Sequence, residues 1–292
     1  MKRIAILITC HNRKEKTLAC LEALYQNDLP EGYSLHVILV DDGSTDGTSE
    51  AVWARYPTVE IIKGDGNLYW NKGMHRAFAR AMEIGFDAYL WLNDDTILYP
   101  GTIVRLLNVW HSSKSQTGED SIIVGSSQDH VTAHLTYGGL VRYSALKRLR
   151  YTLIQPGEQP VECHTMNGNC VLLPHTVAQR IGNLDPVFTH GMGDIDYGLR
   201  ATKAGCTIWV APGYVGMCEL NSGKGLWADS SISLWDRWKK LLGPLGLPPV
   251  EWLIFTRRHS GWLWPLYWLN TYVKFWIKGL LDQRFSKQIS NH

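Results

Sequence analysis

Four strand-length, largely apolar runs, each followed by a turn or a polar cluster, recur through the first hundred residues and limit what this chain can fold into. Ile4–Ile8, His36–Val40, Val59–Ile62 and Ala88–Leu92 have the length and composition of strands buried on both faces. Between them, Lys14–Gln26 places Leu18, Leu21 and Leu24 at helical spacing, and Ser49–Arg55 reads as a short helix. Lys72–Ile84 is a further helix that turns Met74, Phe78, Ala81 and Met82 inward. Strand–helix alternation with short connections predicts an α/β fold on a mostly parallel sheet. Ligands of such sheets sit at the carboxyl ends of the strands. The polar clusters Thr9–Arg13, Asp41–Thr45 and Asn93–Thr96 fall there.

From about Ser121 the pattern changes to strands separated by loops, at Ile122–Gly125, Val141–Tyr143, Cys170–Leu173 and Thr207–Val210, with a helix inside Phe188–Gly205. One domain over 1–228 is expected, its halves meeting near 115, followed by a helical tail over 229–292. The tail differs in composition: eight of the thirteen tryptophans lie in the last 66 residues. From Asp236 onward nine Lys/Arg face three Asp/Glu, so the tail carries +6 and residues 1–235 carry −4. A total of +2 gives no argument for nucleic-acid binding, whereas the basic tail suits an anionic surface. Glu251–Leu281 interleaves Trp and Tyr with Arg257, Arg258, Lys274 and Lys278 and never reaches the roughly 20 uncharged apolar residues of a spanning helix. It reads as a membrane-interface segment, with a helical cap on the first domain or a homodimer contact as its other uses. The six cysteines show no CxxC or zinc spacing, and Met1–Ile8 is too short for a signal sequence. The expected location is therefore the cytoplasm, peripheral on the inner face of the membrane.

Three acidic clusters carry chemistry. Asn93-Asp94-Asp95 puts adjacent carboxylates at a strand mouth, where they repel unless solvated or bridged by a cation. A divalent ion held by one or two carboxylates also takes phosphate oxygens. Asp41-Asp42-Gly43-Ser44 has one carboxylate more than helix capping needs, and a carboxylate facing an imide N–H would recognise uracil or thymine. Asp194, in Gly193–Arg200, is either a cap or a general base for an acceptor hydroxyl. Asp196 and Arg200 stand at i,i+4 spacing, as a structural ion pair would.

Taken in order, Thr9–Arg13, Val40–Ser44, Asn67–Met74, Asn93–Asp95 and Gly193–Arg200 resemble the motifs of family 2 glycosyltransferases, in particular a bacterial branch with rhamnosyltransferase-like enzymes. The resemblance covers about residues 3–220. It implies a GT-A fold, hexosyl transfer with inversion, and a nucleotide-sugar donor bound mainly by residues 1–115. It also implies a glycan or lipid-linked glycan acceptor, met by residues 116–228. Thr9 and Asp42 would meet the base, Asp94 the ribose or sugar, and Asp95 would ligate Mg²⁺ or Mn²⁺. His11, Asn12, Arg13, Gly66, Asn67, Trp70, Asn71, Lys72 and Gly73 would complete the donor side. Trp70, Gly193 and Asp196 would face the acceptor, and Asp194 would be the base. Two positions depart from the family pattern. Gly193 replaces the usual Glu, and Gly216-Met217-Cys218 stands where a metal- or phosphate-binding His is common, leaving the third protein ligand open; a lone His190 is more often incidental.

Two other classes remain: a nucleotidyltransferase, although Thr9–Lys14 has no Gly-rich loop, and a non-catalytic sugar-binding module. A dinucleotide-dependent oxidoreductase would need GxGxxG after the first strand, which is absent. UDP and dTDP present the same imide edge, so both remain, with dTDP-rhamnose favoured by the resemblance.

Overall fold

The first apolar run becomes the middle of the sheet. In the computed structural model, which describes residues 1–144, 147–220 and 225–289, β1 (Lys2–Cys10) is followed by α1 (Lys14–Tyr25), β2 (Tyr33–Asp41), α2 (Thr48–Arg55), β3 (Glu60–Lys63), α3 (Tyr69–Ile84) and β4 (Ala88–Leu92). Strands β3, β2, β1 and β4 lie side by side and all parallel, as the alternating pattern predicts. β1 is covered on both faces, which is why Ile4–Ile8 is continuously apolar instead of alternating. Its Ala5 and Leu7 enter a core with Met74, Ala77, Phe78 and Ala81 of α3. Ile4, Ile6 and Ile8 enter a second core with Cys20, Leu21 and Leu24 of α1.

The chain continues through β5 (Ile97–Leu98), α4 (Thr102–Thr117), β6 (Ile122–Gln128), β7 (Leu135–Tyr137), β8 (Gly139–Arg142), β9 (Tyr151–Leu153), β10 (Val161–Cys163), β11 (Thr165–Met166), β12 (Cys170–Pro174), α5 (His175–Ile181), α6 (Gly193–Lys203) and β13 (Ile208–Met217). β12 pairs antiparallel with β4 and β6, and β13 runs parallel to β6, extending the sheet to the order β10-β13-β6-β12-β4-β1-β2-β3. β11, β8 and β9 form a separate small sheet. α4 is an addition to the sequence reading. Its Ile103, Leu106, Leu107 and Trp110 have helical spacing and are buried in the α1-side core. α3 begins at Tyr69, three residues ahead of the expected start.

Two units emerge: Met1–Tyr143 with Tyr151–Asn221, and Ser144–Arg150 with Ser222–His292. The second contains α7 (Leu234–Leu242), α8 (Pro249–His259), a 3-10 turn at Gly261–Leu263 and α9 (Trp264–Ile289). Its core is Leu234, Leu241, Tyr272 and Phe275, with Trp227, Trp238, Trp252, Trp268 and Trp276 packed around it. Three of these rings have paired polar tips: Trp252 Nε1 donates to Thr271 Oγ1, Trp268 Nε1 to the Pro249 carbonyl and the Tyr272 hydroxyl to the Leu247 carbonyl. No described helix is long and apolar enough to cross a membrane.

Candidate active site

The carboxyl ends of β1, β2 and β4 bring the polar clusters together. Asn12, at φ 51°, accepts the Thr45 N–H on its side-chain oxygen at 2.7 Å and donates its own N–H to Ser44 Oγ at 2.9 Å. His11 Nδ1 meets the Asp42 carbonyl. The loops after β1 and β2 therefore form one cross-linked rim. Asp41 is fully buried beneath it. Burial opposes its charge, but hydrogen bonds from Ser44 and Ser49 and the Lys63 ammonium hold its carboxyl below the ordinary range.

Asp42 is 3% exposed, and its carboxylate accepts the Gly66 N–H at 2.8 Å, the Leu68 N–H at 2.9 Å and the Tyr69 N–H at 3.0 Å. It thus ties the 64–69 loop to the end of β2 and supplies negative charge to the start of α3. Glycine is required on this path: a Cβ at Gly43 would lie 2.8 Å from the Gly66 nitrogen, and one at Gly64 would strike Asp42. Asn67 is exposed at the loop tip, and Lys72 is half-buried on α3.

Three of the expected ligand residues make contacts within the chain. Thr9 is seated against Gly73, whose missing side chain lets α3 approach β1. Asn71 is fully buried, and its amide donates to the Asp185 and Phe188 carbonyls at 2.8 and 2.7 Å. Asp196 is fully buried, paired with Arg200 Nε at 2.8 Å, while the same guanidinium donates to the Ile181 and Asn183 carbonyls. The Asn71 and Asp196 side chains are thus both held by partners within the protein.

At the end of β4, Arg13 Nη1 bridges Asp94 Oδ1 at 3.1 Å and Asp95 Oδ2 at 2.8 Å. Asp94 Oδ2 is buried without a partner. Burial pushes the Asp94 carboxyl up to about 7; the Arg13 charge opposes this, and Asp95 adds to it. Asp95 Oδ1 accepts from the Cys218 thiol at 3.4 Å. No group of three His, Cys, Asp or Glu among the described residues is arranged to hold a metal. The pair fits a hard divalent ion completed by phosphate and water, since it offers hard oxygen donors with one acceptor atom unspent. Cys218 occupies the position left open for a third ligand, but its thiol is buried and pushed up to about 12 by that burial and by Asp95, so it stays protonated.

The other wall is built by α6 and the β11–β12 turn. Met192, at φ 70°, precedes α6 and offers no side-chain cap, so Asp194 is not the capping residue. Its carboxylate accepts the Gly168 N–H at 2.9 Å and the Ile195 N–H at 2.8 Å. Burial raises its pKa, and those two N–H groups oppose the rise. Gly168 is flanked by Asp194 Cβ and by the Trp70 ring, which leaves no room for a side chain there. Trp70 Nε1 donates to Asn93 Oδ1 at 2.7 Å. Asn93 therefore sets the Trp70 ring, Trp70 backs Gly168, and Gly168 aims Asp194. Gly168 and Asn93 escaped sequence reasoning; Asn93 borders the acidic pair, but no sequence pattern marks Gly168. Gly193 is buried against Asn71. His190 stands edge-on to Tyr69, its ring centroid 6.2 Å away, with Nδ1 buried and unpartnered. Burial and the Arg13 charge lower its pKa.

Comparison with known proteins identifies the family and the fold. Residues 2–238 match the model described as "Glycosyltransferase like family 2". N-acetylglucosaminyl-diphospho-decaprenol L-rhamnosyltransferase from Mycobacterium tuberculosis is 27% identical over 260 residues, which cover 80% of this chain and 78% of that protein. Among solved structures, a mannosyltransferase from Pyrobaculum calidifontis in complex with GDP-Man and Mn²⁺ superposes with a TM-score of 0.52 at 17% identity, covering 82% of this chain and 62% of that one. TarS 1-349 from S. aureus gives 0.52 at 13% identity, covering 88% and 70%. GalNAc-T7 with UDP, GalNAc and Mn²⁺ gives 0.55 at 12% identity, covering 76% and 44%. These likenesses share the GT-A fold, and the family match decides against a nucleotidyltransferase or a non-catalytic module. With acidic residues at the ends of β2 and β4 and a third at the start of α6, all inside the matched span, the chain belongs to glycosyltransferase family 2 and is a glycosyltransferase.

Proposed function

We propose that the chain transfers a sugar with inversion from a UDP- or dTDP-sugar, dTDP-rhamnose first among them, to a hydroxyl of a lipid-linked glycan in bacterial surface polysaccharide synthesis. The observation that carries this reading is the presence, in one unit, of the half-buried Asp194 carboxylate, held by the Gly168 and Ile195 N–H groups, together with the Asp94-Asp95 pair. The name of the mycobacterial relative supports the donor and acceptor classes.

In this reading Asp194 accepts the proton of the acceptor hydroxyl as its oxygen attacks the anomeric carbon, and a raised pKa suits a base working near neutrality. The bond from sugar to diphosphate breaks, and the electron pair leaves with the diphosphate. Arg13 meets that developing charge in this reading, with Lys72 and the rim formed by His11 and Asn12. Asp42 acts on the nucleoside through the 64–69 loop, bringing Gly66 and Asn67 to the base. Thr9 and Gly73 act through packing, Trp70 borders the acceptor, and Gly193 admits the Asn71 amide beside the base. Asp95, with Asp94 behind it, would hold Mg²⁺ or Mn²⁺, which when bound neutralises the leaving diphosphate. An acceptor carried by lipid places the enzyme at the inner face of the cytoplasmic membrane, in contact through 251–281.

The test is a thermal-shift panel of nucleotide sugars with Mn²⁺, followed by transfer from the best binder to a prenyl-diphosphate-linked N-acetylglucosamine. A UDP- or dTDP-sugar should raise the melting temperature by mass action. Stabilisation only by purine nucleotide sugars, or no transfer to the lipid-linked acceptor, would overturn the reading.

A further inference from the structure

α9 is apolar on two sides, and the second unit covers only one of them. Trp268, Tyr272, Phe275 and Trp276 face α7 and α8 in its core. On the other side Leu266, Leu269, Val273, Ile277 and Leu280 recur at spacings of three and four and are 64, 53, 44, 54 and 52% exposed. Trp262, in the turn before α9, is 82% exposed and extends the row. Together they form an apolar stripe of about 27 Å at 1.5 Å per residue. A shallow cavity of about 480 Å³ opens along it between Leu263, Leu266, Tyr267, Leu269, Asn270 and Val273. A contiguous exposed row of this kind marks an interaction site rather than scattered surface hydrophobicity.

The charges beside the stripe identify the partner. From Trp252 to Leu281 the chain contains Arg257, Arg258, Lys274 and Lys278 and no Asp or Glu. All four cations are exposed. The Ser144–Arg150 segment, which belongs to this same unit, adds the exposed Lys147, Arg148 and Arg150, and Arg148 lies against Gly261 beside Trp262. Lys274 and Lys278 stand one turn apart on α9, both exposed, beside the stripe. An anionic lipid surface supplies both an apolar phase for the stripe and phosphates for its cations.

We infer that the stripe from Trp262 to Leu280, flanked by Lys274 and Lys278 and by the Arg148–Arg257–Arg258 end, is the surface on which the protein lies in an anionic membrane. Leu266, Leu269, Val273 and Ile277 enter the acyl boundary, and the cations reach head-group phosphates. This rests on the reading of a lipid-linked acceptor, but the surface lies wholly within the second unit and its test contains neither donor nor acceptor.

The experiment is flotation of the full chain with phosphatidylcholine vesicles, with and without phosphatidylglycerol, at low and high salt. The wild type should float with the anionic vesicles and be released by salt. Leu269→Glu with Val273→Glu should lower partitioning at least about tenfold. Lys274→Glu with Lys278→Glu should remove the preference for phosphatidylglycerol. Both variants change exposed positions, so unfolding temperature and nucleotide-induced thermal shift should match the wild type. Absence of flotation, or equal flotation of wild type and the Leu269/Val273 variant, would overturn the inference. So would a wild-type dimer in light scattering that the same variant dissociates, which would assign the stripe to self-association.

Discussion

A Cβ on Gly193 would lie within 2.5 Å of Asn71 Cγ, so the amide of Asn71 fills the space where a side chain at 193 would begin. The family's usual Glu at this position is therefore excluded by packing as well as missing from the sequence. Asn71 has little freedom to retreat, because its amide is fixed to the Asp185 and Phe188 carbonyls.

Gly193→Ala should consequently destabilise the protein by about 1–3 kcal/mol, the range for forcing a buried, hydrogen-bonded group aside. Denaturant unfolding of Gly193→Ala, Asn71→Ala and the double variant checks it. The double variant should cost less than the two single changes added together, since removing the amide vacates the space. Strict additivity would show that the two residues do not share it.

Asp194→Asn should lower kcat by about 10²- to 10⁴-fold, the usual contribution of a positioned base. Nucleotide affinity, read by calorimetry with UDP and dTDP, should stay near that of the wild type, because Asp194 lies on the α6 wall and makes no contact with the Arg13 cluster. An unchanged kcat would remove Asp194 from the chemistry. A loss confined to nucleotide binding would move it to the donor side.

The parallel half of the sheet was legible because each strand carries its own pattern: Ala88–Leu92 has the same limits in sequence and structure. α4 carries the same kind of pattern, with Ile103, Leu106, Leu107 and Trp110 in phase against the α1-side core. The acidic strand ends were legible by type, but their roles were decided by partners far away in sequence. Asn71 meets Phe188 across 117 positions and Arg13 meets Asp95 across 82. Asp42 read as a nucleobase contact, yet three N–H groups of the 64–69 loop take its carboxylate, and no local pattern announces that geometry. Asp196 was the opposite case. Its i,i+4 relation to Arg200 already described the buried pair that the structure contains.

Asp94 gives the stability of the protein a pH dependence of defined sign. Burial raises its carboxyl to about 7 in the fold, whereas an unfolded carboxyl titrates near its ordinary value of 3.8. Between these values the folded state holds a proton that the unfolded state has released, so stability falls as pH rises through that window. In EDTA, Asp94→Asn should flatten this fall, and melting curves from pH 5 to about 7.5 would show it. A wild-type slope no steeper than that of the variant would mean that Asp94 ionises without penalty.

Arg13 makes the acidic pair tolerable before a cation arrives. The side chains of Asp94 and Asp95 are only 7 and 9% exposed, and one guanidinium nitrogen is shared between them. Arg13→Ala leaves two crowded carboxylates without a counter-charge. In EDTA it should lose about 1–3 kcal/mol, the scale for hydrogen bonds to charged groups when one partner remains. The same variant should gain more from Mn²⁺ than the wild type does, because the ion no longer competes with the guanidinium for Asp95. Differential scanning fluorimetry across a Mn²⁺ titration, in the absence of nucleotide, separates these effects. A metal-induced shift of equal size in both proteins would show that Arg13 and the cation do not compete for the pair.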